Sequence, residues 1–235
     1  MVSGRILVVE DEQNLGSTLV ERLQREGYEI VWSKRVADSL LQMKSRAFDL
    51  AIVDVGLPDG SGFDIAGQIR EKSPGTAVIF LTAFGSAEDR IRGLELGAED
   101  YIVKPFHLKE LILRVKNGLK RAKYVSGNLE SIGTKLTIGK AQIHFQKFEA
   151  EVQGRTFPLT HKEVALLKLL IERRGRVVSR DEILDHAWSD DEFPTPRTID
   201  NFILRLRRLV EYNPENPEII RSVRGIGYLL MDGII

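Results

Sequence analysis

Apolar and polar positions along the first half of the chain fall into two kinds of block. Short apolar runs at Ile6–Val9, Glu29–Val31, Leu50–Val53, Ala77–Leu81 and Tyr101–Val103 predict strands. Between them, amphipathic stretches near residues 13–26, 35–46, 62–71 and 86–97, with a last one at 108–122, repeat at helical spacing. Strands alternating with helices of this length predict a parallel sheet covered on both faces. The Ile6, Leu50 and Ala77 runs are continuously apolar, as strands buried on both faces are. Ser86 followed by Asp89 reads as an N-cap box for the fourth helix.

The pattern changes after Arg121. Residues 124–128, Tyr-Val-Ser-Gly-Asn, read as a linker between a unit at 1–123 and another at 129–235. In the second unit Leu136–Ile138, Gln142–Phe145, Glu149–Gln153 and Arg155–Phe157 are short and partly alternating, which predicts a small antiparallel sheet. Thr160 with Glu163, and Ser179 with Glu182, form capping boxes that open two helices. A third helix runs from Pro196 to about Tyr212. Two strands, Ile219–Val223 and Tyr228–Met231, flank Arg224-Gly225-Ile226-Gly227, a hairpin turn. The expected fold class is therefore α/β, a doubly wound five-stranded parallel sheet, followed by an α+β domain.

Composition narrows the picture only in part. A length of 235 residues fits two units better than one, since domains run to roughly 100–200 residues. With no cysteine, a disulfide framework and a thiolate metal site are both excluded. No apolar stretch approaches the roughly 18 residues that span a bilayer, and the N-terminus shows no signal-peptide pattern. A cytoplasmic protein with no membrane partner is expected. The formal net charge is +0, so affinity for nucleic acid has to come from a local patch.

Chemistry gathers where the predicted strands end. The first runs into Glu10-Asp11-Glu12, the third into Asp54 and the fourth into Thr82, and Lys104 follows the fifth. Open parallel sheets bind ligands at the carboxyl ends of their strands, so one sheet edge collects acids, a hydroxyl and an ammonium. Clustered carboxylates repel one another unless a cation sits among them, and oxygen donors suit Mg²⁺. Beside such an ion Asp54 can attack a phosphoryl group, with Lys104 neutralising charge and Thr82 donating a hydrogen bond. An acid after a strand also serves as a simple cap or turn residue; Ser61, Asp64 and Asp59 are assigned that role.

The segments ILVVEDE, DVGLPDGSG, FLTA and DYIVKPF, in that order, resemble the receiver domain of two-component response regulators over residues 4–122. The resemblance implies a flavodoxin-like sheet in which Asp54 accepts a phosphoryl group from a sensor histidine kinase. It implies that Glu10, Asp11, Asp54 and the backbone carbonyl of Gly56 hold Mg²⁺. Thr82 and Tyr101 are then the switch pair, Lys104 the phosphoryl contact, and the Lys104–Pro105 bond cis. Gly56 leaves an acyl phosphate unshielded, and Phe84 is expected to set its lifetime.

Arg90, Glu99, Asp100, Glu110, Arg114 and Arg121 intersperse with Ile91, Leu94 and Leu113 on the fourth helix, fifth strand and fifth helix. On charge alone this is a solvated face with pairs such as Glu110 with Arg114. By resemblance to the OmpR/PhoB subfamily it is a two-fold interface of a phosphorylation-dependent homodimer. The implied cross-subunit pairs are Arg90–Glu110, Asp100–Arg114 and Glu99–Arg121.

In the second unit, TPRTIDNFILRLRRLVEY places Ile199, Phe202, Ile203, Leu206 and Leu209 on a core face and Arg205, Arg207 and Arg208 elsewhere, with Asn201 one turn earlier. Such a helix fits the DNA major groove. It also fits an ordinary solvated surface. The segments PLTHKEVALLKLL, RTID, RLRRLVE and IIRSVRGIGYLL resemble the winged-helix effector domain of OmpR/PhoB regulators over residues 129–232. That implies double-stranded DNA as partner, with contacts from Arg197, Thr198, Asn201, Arg205, Arg207 and Arg208 and from Ser222 and Arg224 of the wing. Leu204 and Phe202 depart from the polar residues common there. The loop Trp188–Thr195, with Asp190, Asp191 and Glu192, lies where relatives touch RNA polymerase, and it also reads as an acidic solvated loop.

The expected function is a transcription regulator switched by Mg²⁺-dependent phosphorylation, and not an enzyme. A phosphotransferase using Asp54 as a transient nucleophile, and a receiver acting on a protein partner, are the alternatives. His107, His144, His161 and His186 are scattered and unassigned; Trp32 and Trp188 read as packing residues.

Overall fold

A computed structural model describes residues 4–83, 89, 92–93, 96–127, 135–187 and 196–231. The chain divides into two compact units, Met1–Lys123 and Tyr124–Ile235.

The first unit is built on β1 (Arg5–Val9), β2 (Glu29–Ser33), β3 (Leu50–Asp54), β6 (Ala77–Thr82) and β7 (Asp100–Val103), all parallel in the order β2-β1-β3-β6-β7. Side chains alternate between faces along each strand. Ile6, Val8, Leu50, Ile52, Ile79 and Leu81 face one way, onto Leu19 and Leu23 of α1 (Gln13–Arg25) and Leu111, Val115 and Leu119 of α4 (Leu108–Gly127). Leu7, Val9, Ala51, Val53 and Phe80 face the other way, onto Phe63, Ile65 and Ile69 of α3 (Gly62–Lys72), with Val36 and Met43 of α2 (Val36–Ser45) beside them. This is the doubly wound arrangement the alternating blocks predict.

Two strands escape the hydrophobic pattern because each is only two residues long: β4 (Gly56–Leu57) pairs antiparallel with β5 (Gly60–Ser61) just after β3. Ser61 and Asp64 form the capping box of α3. Asp59 does more than turn the chain, accepting the backbone N–H groups of Val36 and Ala37 at 2.8 and 3.1 Å, which caps α2. Gly62 admits no side chain, since a Cβ there would lie 2.2 Å from the Asp54 carbonyl oxygen. That close approach seats the start of α3 against the end of β3.

Asp89, Arg92 and Gly93 of the expected fourth helix are helical and the chain has turned by Leu96. The Ser86–Asp89 cap and the expectations for Phe84, Arg90, Ile91 and Leu94 fall outside the described residues. The helix expected over 108–122 is longer than the pattern predicts: α4 continues through Gly127, across most of the segment expected as a linker. Lys-Tyr-Val does not break a helix, and Gly127 is the first residue there with a strong preference to stop one.

In the second unit β8 (Lys135–Ile138), β9 (Ala141–His144), β10 (Glu149–Val152) and β11 (Arg155–Pro158) form an antiparallel sheet. Helices α5 (His161–Glu172), α6 (Arg180–Ala187) and α7 (Pro196–Val210) follow. The hairpin of β13 (Ile220–Val223) and β14 (Gly227–Leu230) gains a third strand, β12 (Val177–Ser179), that the sequence pattern did not predict; the order is β12-β14-β13. Thr160 and Glu163 close the box that opens α5, and Ser179 Oγ accepts the Glu182 N–H at 3.0 Å at the start of α6. One core joins sheet and helices, with Ile143, Leu166, Leu170, Ile199, Ile203, Leu206 and Tyr228 among its members. It is an α+β winged-helix arrangement.

Candidate functional site

The register of the parallel sheet brings the ends of β1, β3 and β6 to one edge. Glu10 and Asp11 follow β1, Asp54 closes β3 and Thr82 closes β6. Lys104 follows β7, its amide held by the Thr82 carbonyl at 2.7 Å, and its bond to Pro105 is cis. Carboxylate oxygens of Glu10, Asp11 and Asp54 lie within 4.8 Å of one another. Glu10 is 1% and Asp54 7% exposed, whereas Asp11 opens to solvent.

Lys104 binds these acids together. Its Nζ donates to Asp54 Oδ2 at 2.6 Å and to Glu10 Oε2 and Oε1 at 2.8 and 3.1 Å. The other Asp54 oxygen, Oδ1, accepts the Gly56 N–H at 3.0 Å. Burial, together with the charge of Asp54, raises the Glu10 pKa against the opposing pull of Lys104. Burial alone would lower the Lys104 pKa, but its hydrogen bonds to Asp54 and Glu10 win and raise it. Three ionised carboxylates against one ammonium leave an excess of two negative charges, the deficit a divalent cation meets. The all-oxygen donor set fits Mg²⁺.

Thr82 is fully buried. Tyr101 is half-buried; its ring tilts against Phe80 with centroids 5.9 Å apart, and it lies close under the backbone of Gly93. Of the charged face, Arg114 bonds Asp100 Oδ2 through Nη1 and Glu110 Oε1 through Nε and Nη2 at 3.1 and 2.8 Å, all within one subunit. Asp100 and Glu99 are buried, at 8% and 1% exposure, and Leu113 is 56% exposed. The partners that the resemblance assigns to each other across subunits, Asp100 and Arg114, are thus bonded to each other here. The Arg121 side chain falls outside the described residues.

On α7 the arginines divide into two sets. Arg205 reaches back to Glu163 Oε1 at 2.8 Å, with Glu163 2% exposed. Arg207 donates to the Ile220 carbonyl through Nε and Nη2 at 2.8 and 2.6 Å and to Ser222 Oγ at 2.9 Å. Burial lowers the Arg207 pKa. Both arginines, expected on DNA, are bonded within the domain in this structure; their spacing set their side of the helix, but the acceptors lie far away in sequence. Arg208, Arg221 and Arg224 are exposed and make no ion pair among the described residues, and Ser222 is exposed beside them. Asn201 is half-buried, Leu204 43% exposed and Thr198 buried at 7%. The Arg197 side chain and the loop 188–195 fall outside the described residues.

Sequence reasoning missed a polar cluster beside this helix. Tyr228 donates to Asp200, and Arg180 Nη2 lies 3.2 Å from Asp200 Oδ1 and 3.3 Å from the Tyr228 hydroxyl. Burial and the Asp200 carboxylate push the Tyr228 phenol up to about 12. It also missed Glu211, 1% exposed, whose carboxylate accepts the N–H groups of Glu218, Ile219 and Ile220 at 2.7–3.0 Å and ties α7 to β13. Neither carries a fixed spacing that a sequence pattern could signal.

Residues 6–116 match the response regulator receiver domain, and residues 154–230 match the family of transcriptional regulatory protein C-terminal domains. The chain is 38% identical over 231 residues to the probable transcriptional regulator ycf27 of Cyanophora paradoxa, covering 97% of this chain and 96% of that protein. It is 32% identical to the Thermotoga maritima response regulator DrrB, an OmpR/PhoB homologue, whose crystal structure covers 97% of this chain and 98% of its own, with a TM-score of 0.51. A RitR variant, 24% identical and covering 97% of this chain and 99% of its own, shares the fold at a TM-score of 0.79. Among the described residues no helix is long and apolar enough to cross a membrane. With a receiver domain and a DNA-binding C-terminal domain in one chain, this protein belongs to the OmpR/PhoB family of two-component response regulators.

Proposed function

We propose that Asp54 accepts a phosphoryl group from the phosphohistidine of a sensor kinase, in the presence of Mg²⁺, and that this controls dimerisation and DNA binding. The observation that carries the reading is the Glu10, Asp11 and Asp54 cluster within 4.8 Å, bridged to Lys104 at 2.6 Å from Asp54. An Asp54 oxygen attacks phosphorus, the P–N bond breaks, and the imidazole leaves and takes up a proton from solvent.

Glu10, Asp11, Asp54 and the Gly56 carbonyl are the groups that would hold the Mg²⁺. When bound, that ion supplies charge neutralisation for the phosphoryl oxygens. Lys104 already spans Asp54 and Glu10, so its ammonium needs only a short shift to meet a phosphoryl oxygen. The Gly56 N–H holds Asp54 Oδ1 and fixes the carboxylate plane. Phosphorylation adds roughly one and a half to two negative charges. Thr82 is drawn toward that charge, and Tyr101, held between Phe80 and Gly93, moves into the space. Such a local change biases a two-state surface.

The face of residues 86–97, β7 and α4 is the homodimer interface in this reading. Double-stranded DNA is met by α7 and the β13–β14 wing through Arg208, Arg221 and Arg224, with Arg197, Thr198 and Asn201 along the helix. Contact of the 188–195 loop with RNA polymerase and a cytoplasmic setting complete it.

The test treats the full chain with acetyl phosphate, or with beryllofluoride, and Mg²⁺. The expected result is a phosphoryl adduct at Asp54, self-association in sedimentation, and selection of a DNA sequence from a random pool, all lost in Asp54→Ala. An adduct elsewhere, or none, overturns the reading.

A further inference from the structure

Both backbone groups of Glu10 are held by the end of β2. Its N–H donates to the Ser33 carbonyl at 3.1 Å, and its carbonyl accepts the indole N–H of Trp32 at 2.8 Å. The second bond is unusual in its source, because a side chain supplies the donor just past the end of β1, where Val9 and Ser33 form the last register pair. The carbonyl of Glu10 belongs to the peptide plane shared with Asp11. Any rotation of that plane swings the Asp11 side chain and disturbs the Glu10 carboxylate that faces Lys104 at 2.8 Å.

The indole reaches this position because α1 makes room for it. A Cβ on Gly16 would lie 2.2 Å from Trp32 Cζ2 and 2.8 Å from Nε1. The glycine is therefore required by close packing, and the ring is wedged against the first turns of α1. Lys34 also meets the ring, with its ammonium 5.1 Å from the ring centroid and a hydrogen bond to Gln13 Oε1 of α1. At the N-cap of α1, Glu12 makes no side-chain capping bond, and its backbone N–H reaches the Glu10 carboxylate only at 3.4 Å. Of the groups that hold the Glu10–Asp11 corner, the Trp32 indole is the one that fixes the Glu10 carbonyl.

We propose that Trp32, seated on Gly16, is a positioning residue for the cation site: its indole N–H sets the Glu10–Asp11 peptide plane and so the mutual placement of the two carboxylates. This rests on the reading above that Glu10 and Asp11 hold Mg²⁺. The packing role of the ring is separate from the role of its N–H, and the two respond differently to substitution.

The test is a titration of the full chain with Mg²⁺ alone, followed by backbone amide NMR shifts, with thermal unfolding measured in parallel. Trp32→Phe keeps an aromatic ring and removes the donor. It is expected to raise the Mg²⁺ dissociation constant about three- to tenfold, the range that one hydrogen bond commands, and to shift the Asp11 amide before any Mg²⁺ is added. Incorporating 3-benzothienyl-alanine at position 32 keeps the ring's shape and replaces the N–H with sulfur, so a similar loss there excludes an effect of ring size. Gly16→Ala displaces the ring and is expected to weaken Mg²⁺ binding in the wild type but to add nothing to Trp32→Phe. If the wild type binds Mg²⁺ and both position-32 variants bind it equally well, Trp32 only packs and the inference fails. If the wild type takes no Mg²⁺ at these residues, the reading of the acidic pocket fails with it.

Discussion

Arg205 of α7 is bonded to Glu163 of α5 at 2.8 Å, and the acid is almost entirely enclosed. Glu163 also accepts the Thr160 N–H at 2.8 Å and the Thr160 hydroxyl at 3.0 Å, so one carboxylate closes a helix cap and receives an arginine from another helix. The pair therefore ties α7 to the first turn of α5. Removing one partner of an enclosed pair strands the other charge. Arg205→Ala is expected to cost the second unit about 2–4 kcal/mol, measured by urea unfolding, while the salt dependence of DNA binding by the folded fraction stays as in the wild type. Undiminished stability together with a shallower salt slope would place Arg205 on the DNA instead.

In the proposed reading, the cations that meet DNA phosphates are exposed ones that make no ion pair among the described residues. Arg208, Arg221 and Arg224 are exposed, and each neutralised phosphate releases condensed counterions. Arg208→Ala, Arg221→Ala and Arg224→Ala are each expected to flatten the slope of log affinity against log salt by about one. Each changes unfolding free energy by less than about 0.5 kcal/mol. Fluorescence anisotropy on a selected duplex over a salt series measures the first quantity. Arg207→Ala should behave in the opposite way, loosening the wing from α7 because it removes the bonds to Ile220 and Ser222.

The Tyr228 hydroxyl makes the second unit sensitive to alkali. Its pKa is raised from 10.0 to about 12 in the folded chain, first by burial and then by Asp200. A raised folded pKa gives stability that is complete below the unfolded value and is lost as pH climbs through the folded one. The loss attributable to Tyr228 therefore begins near pH 10 and is complete just above pH 12, amounting to about 2–3 kcal/mol. Tyr228→Phe is expected to remove that component, so the stability gap between wild type and variant narrows across this window in urea titrations. A gap independent of pH would show that the phenol titrates normally.

Much of the receiver could be read directly because its chemistry sits where apolar runs stop. An acid after four buried residues is conspicuous, as at Glu10 and Asp54, and parallel pairing then carries Glu10, Asp54, Thr82 and Lys104 to one edge. The winged-helix unit was harder to read. Periodicity places Arg205 and Arg207 on particular sides of α7, but the acceptors are Glu163 in another helix and the Ile220 carbonyl in a strand, and pairing at such separation leaves no spacing to read. The third wing strand, Val177–Ser179, is too short to show a period, and the short β4–β5 ribbon has little apolar content. Trp32 was legible as an aromatic packing residue; its indole N–H on Glu10 was not, because a ring's hydrogen bond depends on the opening that Gly16 leaves.

The proposed dimer face joins an exposed leucine to an enclosed ion network, and the two predict different outcomes. Leu113 is 56% exposed on α4, so it contributes little to the fold of one subunit and a large part of any apolar contact between two. Leu113→Asp is expected to leave thermal stability within about 0.5 kcal/mol of wild type and to weaken the beryllofluoride-dependent dimer at least about tenfold, the effect of burying an unpaired charge at an interface. Arg114 is different, because it is bonded within the subunit to both Asp100 and Glu110. Arg114→Glu faces two acids at close range and is expected to destabilise the monomer as well as the dimer. Sedimentation velocity with and without beryllofluoride, read beside thermal melts of each variant, separates the cases. A Leu113→Asp chain that dimerises like the wild type would move the interface away from α4.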